Sequence, residues 1–264
     1  MDSDSRKIFT FLLLTLVFSS VFYFLIISNG ELGLFTAVGL MWCPGLAAVL
    51  TRLISQKNLR GFGWSWGKTR YQLLSYGYPI IYASIAYGLV WLFRSGSFNA
   101  EFSSGFGNFL LRFVLIGTAF NCFSALGEEL GWRGFLTPEL AKKWTFAQTS
   151  LLVGIVWSVW HYPLILFANY NSEAPVFYGL ICFTFGVVGT SFAYTWFRLK
   201  SGSVWTAMFL HASHNLYVQG FFDPRTDTSG ITRYVTGEFG IAFAVVGVIT
   251  AFIFWQLRHK ISEV

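Results

Sequence analysis

The chain has 264 residues, of which 55% are hydrophobic, 20% aromatic and only 11% charged. Soluble domains carry about 25% charged residues, so this chain lacks the charge to cover a water-facing surface. The formal net charge is +6, but the basic residues sit between apolar stretches rather than along one face or in a tail. That distribution excludes a nucleic-acid-binding protein.

A bilayer core is crossed by about 20 apolar residues in helical form. Eight segments meet this requirement: 8–28, 32–53, 71–93, 107–127, 146–168, 176–197, 203–222 and 239–257. The runs are continuous, whereas a membrane β-barrel shows alternating segments of about ten residues. Helices also satisfy their own backbone groups in lipid. The expected fold class is therefore all-α, a polytopic membrane protein with about eight transmembrane helices. Residues 1–264 are read as a single integral membrane domain.

Arg6 and Lys7 precede the first run, which exceeds the roughly 7–15 residues of a cleavable signal core. It is read as a first transmembrane helix and signal anchor. Placing the N-terminus in the cytoplasm assigns 14 of the 18 Lys and Arg residues to cytoplasmic loops and span ends, and 3 (Arg94, Arg225, Arg233) to the opposite side. Arg112 is left near the outer end of the fourth span, where its stem snorkels to the interface. This bias predicts that both termini are cytoplasmic.

Two loops have character of their own. Residues 54–70 are basic, Gly-rich and carry Trp64 and Trp66, a composition suited to an interfacial anchor. Residues 223–237, with Asp223, Pro224, Asp227 and Gly230, read as a solvated turn region. Cys43, Cys122 and Cys182 all lie in apolar runs without CxxC spacing, and are read as small buried hydrophobes. There is no internal repeat or low-complexity tract.

An ionisable residue inside a membrane is costly and calls for a partner or a function. At the end of the fourth span, Glu128 and Glu129 are followed by Arg133. Adjacent helical positions point about 100° apart, so the two acids need not share a role. Glu129 and Arg133 have the better order for a helical ion pair, which leaves Glu128 free. The plain alternative is a pair of headgroup-level acids.

The fifth span carries Trp157 and His161, the second a candidate for catalysis or for an interhelical hydrogen bond. The seventh carries His211-Ala212-Ser213-His214-Asn215. His211 and Asn215 share a face one turn apart, with His214 turned partly away. By this topology Glu128 lies near the cytoplasmic face, His211 about 10 Å inside it and His161 roughly 15–22 Å inside it. The three spans are expected to meet in a cavity in the cytoplasmic half of the bundle.

Glu128-Glu129-x-x-x-Arg133 resembles the EExxxR motif of the CAAX protease and bacteriocin-processing (CPBP, or Abi) family, which includes the Ras-converting CAAX endopeptidase. Trp157-x-x-x-His161 is similar to its FxxxH motif, with Trp in place of Phe, read as a packing residue. His211-x-x-x-Asn215 is similar to its HxxxN motif. Order and spacing agree across residues 107–222, the expected catalytic core.

The resemblance implies an intramembrane endopeptidase cleaving near the cytoplasmic side. Glu128 would be the general base, helped by His161, while His211 and Asn215 would donate to the oxyanion. Arg133 would hold Glu129 and the helix end. A second version of this chemistry has a divalent metal, zinc, on Glu128, His161 and His211. The metal-free version is preferred, because Asn is a poor zinc ligand. The implied partners are a peptide or lipidated-protein substrate and membrane lipids, with no nucleic acid. Short loops without appended domains point to a bacterial or archaeal cytoplasmic membrane. Two other classes compete: a catalytically idle scaffold or bacteriocin-immunity protein, and a small transporter, although no repeat symmetry supports the latter.

Overall fold

A computed structural model describes residues 3–93, 96–98, 106–227 and 230–262. It is an all-α bundle of eight long helices. They are α1 (Ser3–Asn29), α2 (Leu34–Gln56), α3 (Thr69–Leu92), α4 (Phe109–Ala141), α5 (Phe146–Phe167), α6 (Val176–Ser201), α7 (Val204–His214, continued by Asn215–Phe222) and α8 (Ile241–Gln256). The usual burial pattern is inverted. Phe24, Phe35, Leu92 and Phe177 are exposed on the outside, while Arg52, Glu129, Arg133 and Arg198 are buried. Such a surface suits hydrocarbon, with the polar groups paired among themselves.

Among the described residues seven helices are long and apolar enough to cross a membrane, and α7 is not among them. The reason lies in its composition: His211, His214, Asn215 and Gln219 dilute its apolar residues. This eighth helix packs inside the bundle against α3, α4 and α6, where neighbouring helices can meet those groups.

The fourth span does not stop at residue 127 as expected but runs unbroken to Ala141. Its charged residues had marked an end, yet they are neutralised in place, so the helix carries them through the bundle. Three described stretches depart from α-helical winding, Phe109–Gly117 and Leu130–Leu136 in α4 and Asn215–Phe222 in α7, all π-helical. The last two begin directly beside a candidate site residue, a placement common for π turns at functional sites.

Small residues set how closely α2 and α4 approach. A Cβ on Gly127 would lie 2.7 Å from the Trp42 Cα, and one on Gly131 would lie 2.4 Å from the Pro44 Cβ. Any larger residue at either position would push the helices apart. The contact also fixes depth: Trp42 and Pro44 lie near the middle of α2, so the two glutamates beside Gly127 sit mid-bundle. Thr145 starts α5 with a capping box: its Oγ1 accepts from the Gln148 N–H at 3.3 Å, and Gln148 Oε1 accepts from the Thr145 N–H at 3.1 Å.

The basic end of the bundle is closed. The loop between α2 and α3 folds beneath the helices, with Phe62 fully buried and the Arg52 guanidinium 4.8 Å from its ring centre. The Arg198 side chain donates from Nε to the Arg133 carbonyl at 2.9 Å and from Nη2 to the Gly61 carbonyl at 3.3 Å. Val204 N–H donates to the Gly63 carbonyl and Trp205 Nε1 to the Trp64 carbonyl, both at 2.9 Å. Trp64 and Trp66 stay exposed, as an interfacial anchor requires, but the loop between them and α2 is a floor.

Candidate active site

A cavity of about 170 Å³ lies in the middle of the bundle. Glu128 from α4, His161 from α5, and His211 and Asn215 from α7 all line it. Apolar side chains, Leu40, Met41, Leu164, Val187 and Phe243 among them, make most of the wall. The three spans picked out from sequence thus converge, but at mid-depth and not at the level of one helix end. The expected position of Glu128 followed from ending the fourth span at residue 127, 14 residues too early.

The paired carboxylates have separate surroundings. Glu128 Oε2 accepts from the Trp157 indole at 2.7 Å and from the Trp132 indole at 3.3 Å. Glu129 Oε1 accepts from Arg133 Nη1 at 3.1 Å and from His211 Nδ1 at 2.9 Å. Arg133 is completely buried, its guanidinium carbon 4.2 Å from the Trp157 ring centre and 4.1 Å from that of Tyr194. Those two ring faces stack around the cation and replace part of its hydration. Trp157, expected only to pack, therefore does two things: its edge binds Glu128 and its face covers Arg133.

Hydrogen bonds assign the imidazole nitrogens. His161 Nδ1–H donates to the Trp157 carbonyl at 2.9 Å, which leaves Nε2 as a lone-pair acceptor. His211 commits Nδ1 to Glu129, so Nε2 is its remaining nitrogen. His214, expected to turn partly away, also lines the cavity. Its Nε2–H donates to Glu238 Oε1 at 2.7 Å, while its Nδ1 pairs with the Tyr82 hydroxyl.

Glu238 stands just before α8 and joins the same cavity, a residue that the sequence reading missed. Its Oε2 also accepts from the Tyr170 hydroxyl at 2.7 Å and the Gln219 amide at 2.9 Å. Burial opposes its charge, but the bonds from His214 and Tyr170 outweigh that and hold the carboxyl down to about 2. Glu238 fell between a loop read as solvated and an apolar run. The loop itself is partly buried: Thr226, Thr232 and Thr236 are inside, and Tyr87 donates to Asp223.

Among the described residues no three His, Cys, Asp or Glu side chains gather closely enough to hold a metal ion. One oxygen of Glu128 is already met by two indoles. As arranged, Glu128, His161 and His211 do not make a zinc site. Cys43 and Cys182 are buried and unbridged, and Cys122 is half-buried.

Residues 107–217 match the family described as type II CAAX prenyl endopeptidase Rce1-like. A CAAX prenyl protease 2 of Methanococcus maripaludis is 35% identical over 122 residues. That similarity covers 44% of this chain and 44% of the relative, so it spans less than half of either protein. The family match contains Glu128, Glu129, Arg133, His161, His211 and Asn215, while Tyr82, Gln219 and Glu238 lie outside it. With its motifs in order on three helices of a membrane bundle, the chain is similar over residues 107–217 to the Rce1-like CAAX protease family.

Proposed function

We propose that this protein is an intramembrane endopeptidase that hydrolyses a peptide bond with water activated by Glu128. The observation that carries the reading is the meeting of Glu128, His161, His211 and Asn215, from three helices, on one mostly apolar cavity. Glu128 keeps Oε1 for a water molecule while two indole N–H groups hold Oε2. The water gives its proton to Glu128 as its oxygen attacks the peptide carbonyl, and His161 Nε2 accepts a hydrogen bond from the same water. His211, as an imidazolium paired with Glu129 through Nδ1, donates from Nε2 to the oxyanion. The Asn215 side-chain amide is the second donor. Glu128 then returns the proton to the departing amine, and the C–N bond breaks.

Glu129 and Arg133 touch no reacting atom in this scheme. They position His211 and the α4 turn that bears Glu128. The apolar wall suits a hydrophobic or lipid-bearing peptide, and the family name of the relative points to the same class. Detergent-purified protein and its Glu128→Ala variant, offered a prenylated CAAX peptide and an unmodified apolar peptide pool, test the reading. Cleavage present in the parent and absent in the variant is expected, and a chelator should leave the parent rate unchanged. Loss of activity with chelator would restore the zinc version. A folded parent that cleaves neither substrate would favour the idle scaffold or immunity role.

A further inference from the structure

Glu238 is a second carboxylate on the cavity, and it takes no part in the proposed hydrolysis. His214 Nε2 donates to its Oε1 at 2.7 Å, while the Tyr170 hydroxyl and the Gln219 amide donate to Oε2 at 2.7 and 2.9 Å. Fixed protein donors on both oxygens suit a tether rather than a base.

The tether is itself anchored. The Tyr82 hydroxyl of α3 pairs with His214 Nδ1, and His214 and Gln219 both stand on α7. Before Glu238 the chain turns at Gly237, whose φ of 73° favours glycine and whose N–H donates to the Tyr87 hydroxyl at 3.1 Å. Glu238 is thus fixed from α3, from α7 and from the connection that leads into α8.

What this anchor holds is the wall beside His161. Helix α5 ends at Phe167, and the Ala168 and Tyr170 N–H groups both donate to the Leu164 carbonyl, at 3.0 and 3.3 Å. Asn169 between them takes a left-handed φ of 55°, a conformation Asn tolerates better than most residues. The turn folds Tyr170 back, so that its ring stacks on the His161 imidazole with centroids 6.2 Å and planes 27° apart.

His161 Nδ1 is tied to the Trp157 carbonyl, which fixes one edge of the imidazole but not its tilt. Trp160 and Phe183 limit the tilt edge-on, with centroids 4.8 and 5.1 Å away, and both stand on helices. Tyr170 limits it from a connection, and its hydroxyl joins that ring to the anchored carboxylate.

We propose that Glu238 is a positioning residue: through the Tyr170 hydroxyl it holds the Tyr170 ring against His161, and so keeps Nε2 aimed at the water that Glu128 activates. Glu238 lies beyond residues 107–217, so no motif of the matched stretch specifies it. The kinetic consequence rests on the proteolytic reading, whereas the clamp on His161 is measured without activity.

The test compares the parent with Glu238→Ala, Glu238→Gln, Tyr170→Phe and the Glu238→Ala, Tyr170→Phe double variant, as full chains in detergent. The first readout is NMR of isotope-labelled histidine, a residue that occurs four times, with the His161 signals assigned by their loss in His161→Gln. Glu238→Ala and Tyr170→Phe should move the His161 ring signals, because the stacked ring no longer shields them. Glu238→Gln should leave them near the parent's, since its amide accepts from Tyr170 and donates to the other tautomer of His214. The second readout is cleavage of a prenylated CAAX peptide at a temperature where every variant is folded. Each single loss should lower kcat about 10-fold with KM within about twofold, because a misaimed group costs rate rather than binding. The double variant should fall no further than either single, as the two ends of one bond do not add. Glu238→Gln should recover most of the loss. Unmoved His161 signals in Glu238→Ala and Tyr170→Phe would overturn the clamp. A loss carried by KM, or additive losses in the double variant, would overturn the positioning role. If Glu238→Ala fails to fold, Tyr170→Phe, which removes one hydroxyl, carries both readouts. A parent that cleaves nothing defeats the proteolytic reading alone, because the His161 signals still report the clamp.

Discussion

Glu128 and Glu129 follow one another on α4, yet the first lines the cavity, while the second is fully buried away from it, with Arg133 and His211 both on one oxygen and no donor on the other. Both are buried carboxylates in a membrane bundle. What separates them is the company of donors: two neutral indoles for Glu128, a guanidinium and an imidazole for Glu129. Neutral donors hold a carboxylate in place and leave its basicity available, whereas an ion pair uses the charge for structure. On the proposed mechanism Glu128 does the chemistry and Glu129 holds the architecture.

That division makes ordered predictions. The largest concerns the architectural side. Arg133→Met leaves the buried Glu129 carboxylate without its guanidinium partner and with His211 alone, which should cost about 3–5 kcal/mol of stability. Thermal melts in detergent will show it, and adding Glu129→Gln should recover part of the loss. Asn215→Ala, on the chemical side, should lower kcat about 10²–10³-fold with KM little changed, because an oxyanion donor acts in the transition state. Trp157→Phe sharpens the comparison further. It keeps a ring over Arg133 but removes one donor from Glu128, worth about 1.5–3 kcal/mol for a charged acceptor. The expected fall in kcat is about 10- to 100-fold, with a melting temperature lowered by a few degrees and less than in Arg133→Met.

The smallest effect lies outside the site, in the connection between α7 and α8. Burial pushes the Asp223 carboxyl up to about 6, against the hydrogen bond from Tyr87. Its folded value is thus above its unfolded value, so its contribution to stability is full below about pH 4 and lost as pH rises through 6. Asp223→Asn should flatten that part of the stability profile, by about 2 kcal/mol at neutral pH. A melting curve series from pH 4 to 7 measures it.

Much of the bundle can be read from hydropathy, because long apolar runs admit few structures in lipid. The i,i+4 order of Glu129 and Arg133 foretold their ion pair, and three motifs foretold which helices meet. Depth was not legible. A hydropathy run stops at its first charges, whereas α4 continues through Glu128, Glu129 and Arg133 because α5, α6 and α7 supply partners. His214 and Glu238 escaped for a related reason. Each looks solvated or averted on its own segment, and only the packing of α7 against the start of α8 brings them together. Trp157 was under-read because an aromatic at a helical position is usually core, and its indole N–H matters only once Glu128 is known to face it.

The most direct test of the account crosses the two glutamates in one measurement. Glu128→Gln and Glu129→Gln are purified side by side, and each sample is split between a thermal melt and a peptide-cleavage assay. Glu128→Gln should melt within a few degrees of the parent and show no cleavage. Glu129→Gln should melt distinctly lower and, at a temperature where it remains folded, keep measurable cleavage. Parent-level cleavage by Glu128→Gln would contradict the account outright, since no other group in the cavity has been given the water's proton.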